Sequence, residues 1–231
     1  MEITAAVATR KSIRAFSDRP VPVGIVREIL ELAARAPSGS NLQPWHVYGL
    51  MGHAREELIR RIKSKLTELP RGEPPEYNIH PPNLSEPYKS RYLRAAGLMY
   101  GAIGISRDDM AARQRHLAKN WEFYGAPVGL IFTIHRQMEP GQWADLGMYM
   151  QSAMLLARGY GLDTCAQEAW ALWPKTLREC LAFPDDEMVV CGMALGYADE
   201  QAPVNGFASE RVPFEEYATL LGSIEPKKMI R

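Results

Sequence analysis

Cysteine is scarce. Cys165, Cys180 and Cys191 are the only three in 231 residues, and no two form a C-x-x-C pair. That count and spacing argue against a disulfide framework or a zinc site and fit a reducing cytoplasm. Net charge is missing too: 27 Lys+Arg balance 27 Asp+Glu. No broad field points to nucleic acid or to an acidic membrane surface. The longest apolar runs, near Val128–Ile134 and Met188–Tyr197, are too short to span a bilayer. Met-Glu-Ile-Thr carries no basic region ahead of an apolar run, so no signal peptide is expected. There is no internal repeat, no low-complexity tract, no G-x-G-x-x-G after a strand and no G-x-x-x-x-G-K-[ST]. Rossmann and P-loop nucleotide sites are therefore unsupported.

What the chain does have is a basic knot near its start, Arg10-Lys11-Ser12-Ile13-Arg14. An extended backbone would point Arg10, Ser12 and Arg14 to one side. A helical one would still place Arg10 and Arg14 on one face. Either makes a small anion clamp, with forked guanidinium donors and a hydroxyl. Taken alone, such a knot is also an ordinary solvated turn.

Periodicity predicts helices over Ile3–Thr9, from Val26 through Ala36, and over Ala54–Leu66, Ser90–Ile105, Asp109–Phe123, Ala144–Tyr160 and Pro174–Leu181. Strands are expected at His46–Met51, Val128–His135 and Met188–Gly196, with strand-like Gly161–Thr164. Ala144–Tyr160 is apolar almost all round, which suits a central helix or a subunit interface. Residues 70–87 hold six of the 17 prolines and little periodic signal, as a lid or binding loop would. The tail, about 199–231, reads as an extension with a helical turn near Phe214–Leu221. Mixed helices and strands place the chain among α/β or α+β folds.

Three more stretches hold chemistry-bearing residues. Pro37-Ser38-Gly39-Ser40-Asn41-Leu42-Gln43-Pro44-Trp45-His46 is a turn-rich polar loop between a helix and a strand. Thr164-Cys165-Ala166-Gln167-Glu168-Ala169-Trp170 carries a carboxylate suited to a cap, an ion pair or a general base. Gly196-Tyr197-Ala198-Asp199 is followed by Asn205 and Arg211. His46 reads as structural.

In this order the four stretches resemble the nitroreductase family of FMN-dependent oxidoreductases, across nearly the whole chain. The segment from Glu76 through Asp109 looks most like its nitrobenzoate-reductase branch. The resemblance implies a single α+β domain, with a central, mostly antiparallel sheet flanked by helices. It also implies an entwined homodimer with FMN at the interface. Arg10 and Ser12 would hold the FMN phosphate and ribityl chain, helped by Arg211. Lys11 would touch the flavin through its backbone, and Arg14 would lie near its N1/O2 edge. Pro37, Ser38, Gly39, Ser40 and Asn41 would come from the second subunit. Glu168 and Ala169 would offer backbone N–H groups near N5. Asn120 matches a polar flavin contact. Gln167 stands where an apolar residue is usual, and Ser209 where a basic one is frequent.

The implied activity is ping-pong hydride transfer through flavin N5, from NADH or NADPH to a small aromatic acceptor such as a nitroarene or quinone. No protein nucleophile and no metal is required. A dehalogenase of the iodotyrosine type is a rival on the same fold, with Glu76, Tyr77, Glu86, Tyr88 and Lys89 as its lid residues. A flavin-destroying enzyme is another. A non-catalytic FMN- or phosphate-binding module is the third alternative.

Overall fold

Residues 1–222 are described by a computed structural model, so the end of the expected tail, 223–231, lies outside the described residues. Four strands form one sheet: β1 (Trp45–Met51), β2 (Val128–His135), β3 (Asp163–Gln167) and β4 (Glu187–Gly196), in the order β1-β2-β4-β3. All neighbours are antiparallel. β2 and β4 are the central strands, and their near-continuous apolar runs match burial on both faces.

Alternation along β2 splits the core into two layers. Val128, Leu130, Phe132 and Ile134 pack on helices α2 (Val23–Ala33) and α6 (Pro140–Gly159). Ile131 packs on the other face, against α3 (Gly52–Lys65), α7 (Pro174–Leu181) and the tight turns 119–125 and 168–172. Each fully buried Leu, Ile or Phe contributes roughly 1.5–3 kcal/mol. The β2–β4 register slips between Phe132 and Thr133, where Cys191 and then Val189 are the partners. Val190 is the extra residue. The slip lets Val189 face one layer and Cys191 the other.

Aromatic packing fixes the two tight turns. Phe123 and Trp170 stack with ring centroids 4.3 Å apart. Phe123 lies on Gly129 of β2 and Trp170 on Gly192 of β4. A Cβ at Gly129 would come within 2.3 Å of the Phe123 ring, and one at Gly192 within 2.1 Å of Trp170. To lay its ring there the chain takes φ 52° at Phe123 and 53° at Tyr124. That ends helix α5 (Met110–Ala118) before the 119–123 stretch that periodicity assigned to it.

Other boundaries also move for local reasons. α2 stops at Ala33, and Arg35 and Ala36 make short i→i−3 bonds ahead of Pro37. α6 starts at Pro140, because Glu139 and Gln142 form a reciprocal cap ahead of the apolar run. The strand in the 161–170 stretch is Asp163–Gln167, so Cys165 and Gln167 are strand residues. α4 spans Tyr88–Ala102, and near Phe214 only a three-residue turn forms.

The 70–87 stretch is partly pinned. Glu73 is buried and accepts from Lys175 N, Thr176 N and Thr176 Oγ1, which caps α7. Tyr77 stacks edge-on against Trp143 and donates to the freed Val190 carbonyl at 2.5 Å. Among the described residues no helix is long and apolar enough to cross a membrane.

Candidate active site

The basic knot is extended. Ser12 bridges Thr164 in parallel, and Ile13 N donates to Thr164 O at 3.0 Å. The helical option is therefore excluded. Ile13 turns into the core at 1% exposure, and its neighbours in the alternation turn the other way. Arg10, Ser12 and Arg14 all act on one group, the thiol of Cys165. Burial raises that thiol to about 11, while Arg14, the Ser12 hydroxyl and Arg10 pull against the rise. By that alternation Arg10, Ser12 and Arg14 lie on the side opposite Ile13.

Asn205 brackets this strand from behind. Its Oδ1 accepts from Arg14 N at 2.8 Å, and its Nδ2 donates to Ala15 O and Asp199 O. Lys11 Nζ donates to the Asn205 carbonyl, on the side away from Arg10 and Arg14. Arg10, Lys11 and Arg14 enter no ion pair among the described residues.

Beside the knot lie the end of β3 and the 119–125 turn. Buried Gln167 donates to Asn120 O at 2.7 Å, and its Oε1 has no partner. Trp121 Nε1 donates to Ala169 O at 3.2 Å, which fixes the Ala169–Trp170 peptide in the turn that carries exposed Glu168. Tyr124 is held far above its usual pKa, first by burial. It stays protonated, next to Arg14 and Asn120. Cys191, under the same strand, is raised by burial to about 12.

The loop from Pro37 is separate from this cluster. Ser40, Asn41 and Gln43 take φ of 49°, 57° and 49°. Gln43 N donates to Ser38 Oγ, and Gly39 N donates to buried Asp145 of α6, both at 3.0 Å. Pro37, Ser40 and Asn41 are exposed. No hydrogen bond joins this loop to the Arg10–Arg14 strand among the described residues.

Arg211 and Ser209 also stand apart. Arg211 NH1 bonds Ser209 O, Ser209 Oγ and Glu210 O, and both residues line a cleft with Arg91 and Arg94 of α4. His46 is structural, as expected: its Nδ1 pairs with buried Glu187, which also accepts from Tyr48 and Thr133. Two of the dehalogenase lid residues are occupied elsewhere, Glu76 by Arg136 and Tyr77 by the Val190 carbonyl and the Trp143 ring. That rival is not favoured.

Sequence reasoning gave no role to Asp145 or Tyr124 and left Asn205 without one. Asp145 did carry a signal: it is the one acid between Glu139 and Asp163, inside an apolar helix. The roles of Asn205 and Tyr124 depend on long-range contacts that no local pattern encodes.

The donors fit a ribityl-phosphate and a flavin edge. Two guanidiniums outside any ion pair among the described residues and a hydroxyl share one side of a strand, Arg14 also donating to Ser12 O, and an unpartnered amide oxygen lies buried at the end of β3. Among the described residues no group of three or more His, Cys, Asp or Glu could hold a metal ion.

The sequence profile of the nitroreductase family matches residues 7–197. A chloronitrobenzene nitroreductase of Comamonas testosteroni is 41% identical over 93% of this chain and 95% of its own length. A 4-nitrobenzoate reductase of Nocardioides sp. (strain LMS-CY) is 40% identical over 94% of this chain and 89% of its own. The crystal structure of an FMN- and NADPH-dependent nitroreductase from Sphigopyxis sp. strain HMH superposes with a TM-score of 0.93. It shares 40% identity over 96% of this chain and all of that one.

Proposed function

The chain belongs to the nitroreductase family, and we propose from that premise that it is an FMN-dependent NAD(P)H oxidoreductase reducing nitroaromatic or quinone-type acceptors. The observation that carries this reading is the extended Arg10–Arg14 strand, bridged to β3 at Thr164, with Arg10, Ser12 and Arg14 on the side opposite buried Ile13. When bound, FMN supplies the two-electron hydride chemistry.

The protein's share is binding and electrostatics. Arg10 and Ser12 would hold the phosphate and ribityl oxygens by charge-assisted bonds worth about 1.5–3 kcal/mol each. Lys11 would contribute through its backbone, because its side chain is committed to Asn205. Arg14 would hold negative charge at the pyrimidine edge, which favours the reduced cofactor. Tyr124, kept protonated by burial, can only donate or accept a hydrogen bond there. Backbone N–H groups of Glu168 and Ala169 would face N5, while Trp121 fixes that turn through the Ala169 carbonyl. Gln167 would turn its free amide oxygen toward the cofactor. Ser209 and Arg211 would join at the phosphate after releasing their local bonds.

We read residues 1–231 as a single domain working as a cytoplasmic homodimer. Its second copy would lend Pro37, Ser38, Gly39, Ser40 and Asn41. Support comes from α6, whose inner face fills the core while Leu155 and Leu156 line an apolar cleft with Leu32 and Ile3. Ile3 is 70% exposed and Leu32 45% in the single chain.

Purified protein mixed with FMN is expected to turn yellow and to bind it stoichiometrically. It should consume NAD(P)H only when a nitroarene or quinone is present, and light scattering should give the mass of a dimer. Protein that stays colourless in excess FMN would overturn the reading.

A further inference from the structure

A cleft of about 510 Å³ opens beside Arg14. Its apolar wall includes Ile103, Ile105 and Val204. Its polar wall is Arg14, Arg115, His116 and Lys119, with no carboxylate among the lining residues. Arg115 and Lys119, like Arg14, enter no ion pair among the described residues. Most surface cations of α3 have found acids, including Arg60, Arg61, Lys63 and Lys65. His116 is 6% exposed and its Nε2 has no partner. Its ring is wedged edge-on against Tyr100 at 5.9 Å and beside Tyr124. Burial, then Lys119 and Arg14, hold its pKa below the usual imidazole value. A neutral imidazole still has one N–H to donate.

Exposed Arg115 and Lys119 have no acid partner among the described residues, and the buried His116 ring nitrogen beside them has no partner at all. Leaving a buried polar group unmatched costs about 1–3 kcal/mol. Such a set suits an oxyanion, and the aliphatic wall suits an apolar body attached to it. We propose that this cleft binds the oxyanion of a reacting partner, a carboxylate or phosphate ester on an aromatic or apolar body, and so selects charged partners over neutral ones. The inference rests on the flavin reading only for the identity of that partner. Two sources fit the chemistry: the carboxylate of an aromatic acceptor, or the 2′-phosphate of NADPH.

The test compares the wild-type protein with the double variant Arg115→Gln/Lys119→Gln and with His116→Phe. Calorimetric titration uses two unreactive probes, benzoate and adenosine 2′-monophosphate, on the FMN-loaded protein. One probe should bind, and its affinity should fall at least about tenfold in the double variant and measurably in His116→Phe. The steady-state arms then name the source. A drop in kcat/KM at least about tenfold larger for 4-nitrobenzoate than for nitrobenzene marks the acceptor. The same difference between NADPH and NADH marks the donor. Failure of both probes to bind wild type would overturn the proposal, and so would equal losses for charged and neutral partners. Protein that takes up no FMN defeats the flavin reading instead. Titration of that flavin-free protein with the same two probes still decides the cleft.

Discussion

The strand Arg10–Arg14 and the loop Pro37–Pro44 both carry residues proposed for FMN, yet the fold treats them differently. The strand is bonded to Thr164 on one side and bracketed by Asn205 on another, with Ile13 in the core. The loop has three non-glycine residues at positive φ and one long-range anchor, Gly39 N to Asp145. Positive φ costs roughly 1–2 kcal/mol at a residue such as Ser or Gln, less at Asn. The first arm is complete within one chain. The second is shaped but uncovered, which fits its proposed role as a surface lent to a second copy.

The contrast can be broken by mutation. Asn205→Ala removes three hydrogen bonds at about 1 kcal/mol each. It should lower the urea-unfolding free energy by about 3 kcal/mol, and a loss under ~1 kcal/mol would show that the strand does not depend on its bracket. Asp145→Ala should cost less, about 1–2 kcal/mol, and should weaken FMN retention more than it weakens the fold. Asp145→Asn keeps an amide oxygen for Gly39 N–H and should restore both. If Asp145→Ala unfolds the protein as readily as Asn205→Ala, the two arms are equally embedded and the distinction fails.

A pH series sharpens the side facing Arg14. His116 has a depressed pKa, so its stabilising contribution is fully present above the unfolded value of about 6.5. Below that pH the unfolded chain takes up a proton that the buried ring resists, and stability declines until the folded pKa is passed. Urea midpoints should fall between pH 7 and pH 5, less steeply in His116→Phe. Parallel slopes would remove His116 from the account. The smallest effect is expected at Arg211. As an exposed side chain bonded only within its own loop, its replacement by Ala should move stability by no more than ~0.5 kcal/mol. FMN affinity should nevertheless fall, and unchanged affinity would take Arg211 out of the phosphate site.

Much of this was legible in the sequence because it is local. The strand runs Val128–His135 and Met188–Gly196, the α7 start at Pro174 and the basic knot each announce themselves within a few residues. Less legible was what distant contacts decide. The 119–123 stretch reads as helix until Phe123 is laid on Gly129, which periodicity cannot foresee. Residues 70–87 read as a lid or binding loop, because nothing local tells that Glu73 caps a helix a hundred residues on. The anchoring of Gly39 by Asp145 was hinted at only by an acid standing alone in an apolar helix.

The burial of Cys165 and Cys191 has a chemical consequence. Incomplete reduction of a nitroarene releases nitroso electrophiles, and it is the thiolate, not the thiol, that adds to their nitrogen. With thiol pKa values near 11 and 12 and almost no accessible sulfur, these two residues are inert toward what the catalyst would itself generate. Partly buried Cys180, on α7, is the most accessible of the three although burial raises its thiol too, so covalent damage accumulating during turnover should map to that helix and spare the sheet.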